Sequence, residues 1–396
     1  MNILYVSSLC SSEMLGKLFS TANEKPHPAP QKFHSLMVAG LVENGQDVTC
    51  LVARPVTVRS HPSKKWWKRE SEEVGGVRYI YLPFLNLTAV GKLCFIFFAF
   101  FHTLSWILRT KGSKAMICDV LTYHSLSSMA ACRMLRVKTV GIVTDIPGQL
   151  TVQQHSSSLE RWFIKREIAC IRRMSSFVVL TDAMCDIINP GRKKPYIVME
   201  GIVDSDMKDK EPTPYQDGKR HITYTGTLES RYGVKTMIEA FMQLPGGDLV
   251  FDIYGRGPMA EDMPEYMEKD PRIRYHGVVT IDEAVEAQRS SFLLVNPRPT
   301  SEEFTKYSFP SKNMEYMATG VPVLTAALPG MPEEYHQFVF IFEDETSAGI
   351  SGKISEIPAM PSESVRKKGL EGKDFVISQK HYSLQAKRVV DLINQS

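Results

Sequence analysis

The sequence predicts an α/β protein made of two Rossmann-like, doubly wound domains facing across a cleft, and three observations lead there. A chain of 396 residues is too long for one comfortable core, so two globular units are expected. Short apolar runs rich in Val and Ile alternate with longer segments of helical period, which is the βαβ pattern of parallel sheets covered on both faces. After Asp204 the composition shifts to DMKDKEPTPYQDGKR, a polar stretch with two prolines that reads as a linker. The expected division is residues 1–204, with a C-terminal helix at 376–396 packing back on them, and residues 205–375.

In the first half the strand-like runs are 2–7, 47–53, 77–82, 115–118, 139–144, 176–180 and 196–199. Between the first two, QKFHSLMVAGLVEN at 31–44 puts Phe33, Leu36, Met37, Leu41 and Val42 on one helical face, and Gly45 is its stop. The second half repeats the alternation with runs at 221–224, 249–254, 273–276, 291–296, 321–324 and 338–342. Ligands of open α/β sheets bind beyond the carboxyl ends of the strands, so two such sheets suit two substrates.

Composition narrows the class. With 43% hydrophobic and 23% charged residues, neither a disordered nor a fibrous chain is expected. The seven cysteines are odd in number, scattered and never in a C-x-x-C pair, which argues against a disulfide framework or a zinc site and for a reducing cytoplasm. The opening MNILYVSSLC has no basic region before its apolar run, so no secretory signal is expected. Charge is uneven: residues 1–200 hold 25 Lys and Arg against 14 Asp and Glu, and residues 201–396 hold 22 against 30. The basic half either meets an anionic surface or carries a solvated bias.

LCFIFFAFFHTLSWIL at 93–108 is the most hydrophobic segment, but its 16 residues include His102, Thr103 and Ser105, too few and too polar for a spanning helix. Lys92, Arg109, Lys111 and Lys114 flank it, and SKKWWKR at 63–69 precedes it. Trp among Lys and Arg is the composition of a membrane interface, so either interfacial binding to anionic lipid or a buried helix beside a solvated loop is expected. The first reading places the protein in the cytoplasm, peripheral on the inner face of the cell membrane.

The segment YSFPSKNMEYMATGVPV at 307–323 carries the chemistry. Pro310 suits the first turn of a helix, Ser308 is its expected cap, and Gly320 its stop. The amides of Ser311, Lys312 and Asn313 and the lysine charge then form a site for a diphosphate. Glu315, one turn on, is placed to accept hydrogen bonds from ribose hydroxyls.

This segment resembles the signature of the family 4 glycosyltransferases of GT-B fold, in which E-x7-E precedes A-x-G-x-PV. Glu315, Ala318, Gly320, Pro322 and Val323 match in register, while the first glutamate falls on Tyr307, as in a recurring variant reading FPSK-x-x-EY across Phe309 and Pro310. YTGTLESRYGVKTMIEAF from Tyr224 is similar to the family's G-R-L-x-x-x-K-G stretch, whose diphosphate-binding arginine and lysine map onto Thr227 and Tyr232 beside Gly226. With both replaced, Arg231 and Lys312 are the expected cations, and they must meet the charge of a departing nucleotide diphosphate. IYGRGP, with Gly255 and Arg256, resembles the family's G-x-G-P turn, and the backbone at Gly277 and Val278 falls where the family receives the nucleotide base. NPRPTSEEFTK adds Arg298, Glu302, Glu303 and Lys306; Glu303 either stands in for the absent glutamate or is a solvated loop residue.

On the acceptor side, the resemblance assigns a His or Asp near the reacting sugar to the end of TVGIVTDIPGQ, where Asp145 is the candidate; the alternative is a turn-capping aspartate. His124 is a second candidate, with a core or capping role as its alternative, and Gly16 and Lys32 are the donors of close approach and charge in the first loop. By resemblance the reaction is a retaining transfer of a hexose from a UDP- or GDP-type sugar to a glycan or lipid-linked hydroxyl in bacterial surface polysaccharide synthesis. Its front-face internal-return mechanism needs no covalent nucleophile. No D-x-D closes a strand, so no metal or other cofactor is expected, and no nucleic acid partner. A nucleotide-sugar 2-epimerase and a non-catalytic sugar-nucleotide-binding scaffold are the alternatives. A nicotinamide dehydrogenase is excluded because no G-x-G-x-x-G follows the first strand.

Overall fold

The computed structural model describes residues 1–23, 29–148 and 157–396. Its contacts divide the chain into two units, Met1–Ile202 with Tyr382–Ser396, and Val203–His381. Part of the first loop, at 24–28, and Gln149 after the Asp145 turn lie outside the described residues.

The apolar runs of the first unit form β1 (Asn2–Ser7), β2 (Asp47–Val52), β3 (Trp66–Trp67), β4 (Glu70–Val74), β5 (Val77–Tyr81), β6 (Phe84–Leu85), β7 (Lys114–Asp119), β8 (Lys138–Val143), β9 (Ser176–Val179) and β10 (Tyr196–Val198). Eight of them make one sheet in the order β10-β9-β8-β7-β1-β2-β5-β4, parallel except for β4 against β5. The helices are α1 (Ser12–Thr21), α2 (Ala29–Glu43), α3 (Thr88–Arg109), α4 (Tyr123–Met134), α5 (Ser158–Ile171) and α6 (Met184–Ile188). The order reverses beside β1, between β2 and β7, which is the ligand-binding switch point of such sheets.

Three expectations for this unit are corrected. The first loop contains α1, capped by the Ser11 hydroxyl on the Met14 amide, and Gly16 sits inside that helix with open space around it. Trp67 is core, its ring stacked on Phe84 at 5.9 Å with the Lys64 ammonium 3.8 Å from the indole centre, so only Trp66 of the pair is exposed. The apolar segment is a 22-residue helix, because the helical pattern runs on into Thr88–Lys92 and Arg109. By length and composition alone its Val90–Arg109 stretch is enough to cross a membrane. It lies along α4 with Ala99 and Ile107 buried and Thr103 donating to Ser128 at 2.9 Å, while Leu93, Phe97, Phe101 and Leu108 remain exposed.

The second unit contains β11 (Arg220–Thr225), β12 (Leu249–Tyr254), β13 (Ile273–Gly277), β14 (Leu293–Asn296), β15 (Val323–Thr325) and β16 (Phe340–Ile341). Its helices are α7 (Val234–Met242), α8 (Met263–Lys269), α9 (Ile281–Arg289), α10 (Ser311–Thr319), α11 (Ser347–Ala359) and α12 (Ser362–Gln379). The all-parallel order β13-β12-β11-β14-β15-β16 reverses between β11 and β14, so the carboxyl ends of those two strands flank the switch point. The polar stretch expected as a linker is pinned to this unit, since the amides of Thr213 and Tyr215 donate to Arg289 and Ser290, and the Tyr215 ring lies 4.0 Å from His221.

The C-terminal segment is two helices, because the chain breaks at Lys380–His381 into α12 and a final α13 (Tyr382–Gln395). Ala386, Val389, Leu392 and Ile393 of α13 join the first unit's core with Met37 and Leu41 of α2. Gly40 permits that approach: a Cβ there would stand 2.4 Å from the Tyr382 carbonyl oxygen and 2.7 Å from the Ala386 Cβ. Gly40→Val should therefore lower the melting temperature by an amount corresponding to about 1–3 kcal/mol. An unchanged melting curve would contradict the docking of α13 on α2.

Candidate functional site

The carboxyl ends of β11, β12 and β13 are closed by glycines at 226, 255 and 277. The Gly226 amide donates to the Tyr254 carbonyl at 2.9 Å, and the Gly255 amide to the Gly277 carbonyl at 2.7 Å, so the three strand ends are stitched into one backbone edge. A Cβ on Gly255 would lie 1.8 Å from the Gly226 oxygen, a contact with fixed backbone that no side chain can relieve. Thr227 follows, its carbonyl accepting from the Tyr224 hydroxyl at 2.8 Å. Arg256 and Val278 are exposed beside this edge.

Helix α10 starts at Ser311 with Pro310 as its N-cap and ends at Gly320 in the left-handed region, φ 81°. Ser308 does not cap it, because the Pro310 carbonyl takes the Asn313 amide at 2.8 Å. Ser311 and Lys312 occupy the first two helical positions, whose amides have no intrahelical acceptor. Two buried side chains fix this end of the helix over the switch point. Asn313 accepts from Asn296 of β14 at 2.8 Å and donates to Thr325 of β15 at 3.3 Å. The Tyr316 hydroxyl accepts from the Thr225 amide of β11 at 2.9 Å. Phe309 is buried against Tyr335, with ring centres 5.2 Å apart.

The Lys312 side chain is thereby laid against Gly226, where a Cβ would meet its Cε and Nζ at 2.2 Å. Its ammonium reaches the Tyr224 hydroxyl at 3.4 Å. Some of the residue stays accessible, yet burial of the ammonium, reinforced by the nearby Arg298 guanidinium and partly offset by Glu315, lowers its pKa to about 8. Glu315 is exposed on the next turn of the same helix. Arg231 is also exposed and is paired with Glu229 at 3.0 Å. Glu303 is exposed at the start of the 3-10 turn Glu303–Lys306, and Tyr307 follows it, half-buried.

In the first unit, Asp145 is half-buried just beyond the carboxyl end of β8, and its Oδ1 accepts the Ile146 amide at 2.8 Å, the turn-capping arrangement. Burial raises its pKa, and that amide bond opposes the rise. Lys32 is exposed near the start of α2. His124 is corrected from an acceptor-side candidate to a core polar group: it is buried, its Nε2 pairs with the Ser7 carbonyl at 3.1 Å, and burial lowers its pKa to about 4. Among the described residues no group of three His, Cys, Asp or Glu side chains is placed to hold a metal ion.

Residues 219–357 match the family model described as Glycosyl transferases group 1. That match lies wholly within the second unit, which is therefore similar to a glycosyltransferase domain. A sucrose-phosphate synthase from Thermosynechococcus elongatus superposes with a TM-score of 0.68 at 14% identity, covering 100% of this chain and 99% of its own. The Anabaena protein HepE in complex with UDP gives 0.65 at 11% identity, with 100% of both chains covered. A lipopolysaccharide outer core galactosyltransferase, WaaB, gives 0.60 at 14% identity, covering 100% of this chain and 99% of its own. The shared fold is the GT-B class of two domains with parallel sheets. No curated protein sequence matches the chain.

Arg298, whose role the chain order does not show, is brought by the fold beside Lys312. Its one legible signal is its place two residues after the β14 run, where an α/β sheet meets its ligand.

A lysine with a folded pKa near 8 and an unfolded value near 10.5 binds fewer protons folded than unfolded between those values, so stability rises with pH across that window. Below pH 8 the charge is a penalty of up to about 3 kcal/mol. Lys312→Met should thus melt higher than the natural protein at pH 7, with the gap closing as pH approaches 10. A variant less stable at pH 7 would contradict the enclosure of this ammonium.

Proposed function

We propose that the chain is a retaining glycosyltransferase that moves a hexose from a UDP- or GDP-type sugar to a hydroxyl of a glycan or lipid-linked acceptor. The observation carrying this reading is the Lys312 ammonium held against Gly226 at the β11–β14 switch point, beside the first amides of α10. As the bond from the anomeric carbon to the diphosphate oxygen breaks, the leaving group takes the electron pair, and the positive charge fixed at that point stabilises it without reorganising. Glu315 is positioned one turn along to receive ribose hydroxyls, and Gly277 and Val278 form the edge for the base. Asp145, at the end of β8, is the candidate for orienting the acceptor hydroxyl. The UDP bound to HepE supports a uridine donor, and the outer core galactosyltransferase supports a cell-surface acceptor.

Glu315→Ala should weaken binding of the nucleoside diphosphate by about 10-fold or more, measured by titration calorimetry across UDP, GDP and ADP. Unchanged affinity would remove Glu315 from the site. Turnover of the donor to an isomeric sugar nucleotide without acceptor would establish the 2-epimerase instead, and binding without any transfer or hydrolysis the scaffold.

The first unit is proposed to lie on an anionic membrane, in the cytoplasm at the inner face of the cell membrane. Phe97 and Phe101 are exposed together on α3, their ring centres 4.7 Å apart, and Trp162 and Phe163 are exposed on α5, with Arg166 4.8 Å from the indole. Liposomes with anionic lipid should float the protein, and Phe97→Asp with Phe101→Asp should abolish flotation while leaving donor binding intact. Failure of the natural protein to float would sink this placement.

A further inference from the structure

Resting on the donor site described above, we propose that Arg298 is a second diphosphate ligand, standing with Lys312 where the chain has Thr227 and Tyr232 in place of a basic pair. Arg298 follows β14 directly, so it emerges at the switch point from the strand neighbouring β11. Its guanidinium carbon lies 5.1 Å from the Tyr232 ring centre and 5.3 Å from that of Phe304. Two aromatic rings hold a planar guanidinium by stacking and cation–π attraction, which fixes its plane while leaving its N–H edge to a ligand.

The hydrogen bonds this group makes inside the protein are few for so enclosed a cation. Its Nε is buried without a hydrogen-bond partner, and one Nη donates to the Ser308 hydroxyl at a long 3.5 Å. Among the described residues no carboxylate forms an ion pair with it, whereas Arg231, over the same two rings, is already paired with Glu229. Enclosing a guanidinium and an ammonium near one another, with no carboxylate of the described residues ion-paired to either, is costly. The cost is met when a dianionic group binds both, and a diphosphate supplies that charge with oxygens for a forked guanidinium. Burial lowers the pKa values of both Arg298 and Lys312, the Arg231 charge adding to the fall for Arg298 and the Arg298 charge adding to it for Lys312, as expected of cations awaiting an anion.

Tyr232 therefore has a role of its own. At the position where a lysine would contact phosphate directly, it holds the guanidinium that does so from the opposite side of the switch point.

The test is titration calorimetry of the full chain with UDP, GDP and ADP and with the three nucleosides. In the natural protein one diphosphate should bind far more tightly than its own nucleoside. Arg298→Ala should lose about 10- to 100-fold in affinity for that diphosphate and keep its affinity for the nucleoside. Arg298→Lys, which retains charge without the planar fork, should recover only part of the loss. Diphosphate binding by Arg298→Ala within about twofold of the natural protein would overturn the proposal, as would equal loss of nucleoside and diphosphate, which marks a purely structural role. If the natural protein binds none of the three diphosphates, the glycosyl-transfer reading itself falls.

Discussion

The contact between the Lys312 ammonium and the bare backbone of Gly226 is what the second unit's chemistry depends on. A side chain at 226 would occupy the ammonium's place, and a side chain at 255 would strike the Gly226 carbonyl, so two strand ends must be glycine for one lysine to lie flat over them. The helix that carries the lysine is held from both sides of the switch point: Tyr316 ties it to Thr225 of β11, and Asn313 ties it to Asn296 of β14. Asn313 and Tyr316 are both fully buried. Their effect is to set where the first turn of α10 points, and with it the Ser311 and Lys312 amides, which have no acceptor inside the helix.

That arrangement carries a stability cost, which is typical of a binding site. A buried ammonium beside a buried guanidinium weakens the free protein, and the buried amide and hydroxyl network around them is what keeps the strand ends in place. The first unit uses its own switch point differently. Along the carboxyl-terminal parts of β1 and β7, the Tyr5 hydroxyl meets His34 Nδ1 at 2.7 Å, His34 lies 3.5 Å from Asp119, and His124 meets the Ser7 carbonyl. These groups are satisfied by one another and enclosed, so they organise the strand ends rather than face a substrate.

Much of this was legible in the sequence because it is local. Short apolar runs gave nearly every strand of three or more residues, β4 being the exception, and the Pro310-to-Gly320 punctuation located the end of α10 at Gly320 and its start within two residues. What escaped was of two kinds. Elements too short or too polar to show a period were missed, as with the two-residue pairing of Trp66–Trp67 with Phe84–Leu85, the charged strand Glu70–Val74 and the helix Ser12–Thr21. Partnerships that only folding creates were also missed. The tyrosine after Glu315 is a tether to β11, and Tyr232, read as a lost lysine, is a platform for Arg298; neither pairing has a signature in the chain order. Ser308 has the side chain of a cap, yet it is the Pro310 carbonyl that takes the Asn313 amide.

The most direct measurement is the position of the phosphates in a crystal structure of the protein with a nucleoside diphosphate bound. Phosphate oxygens are expected within about 3 Å of Lys312 Nζ and of the Ser311 or Lys312 amide, over the ends of β11 and β14. Phosphates bound elsewhere, with Lys312 still lying against Gly226 and untouched, would contradict it.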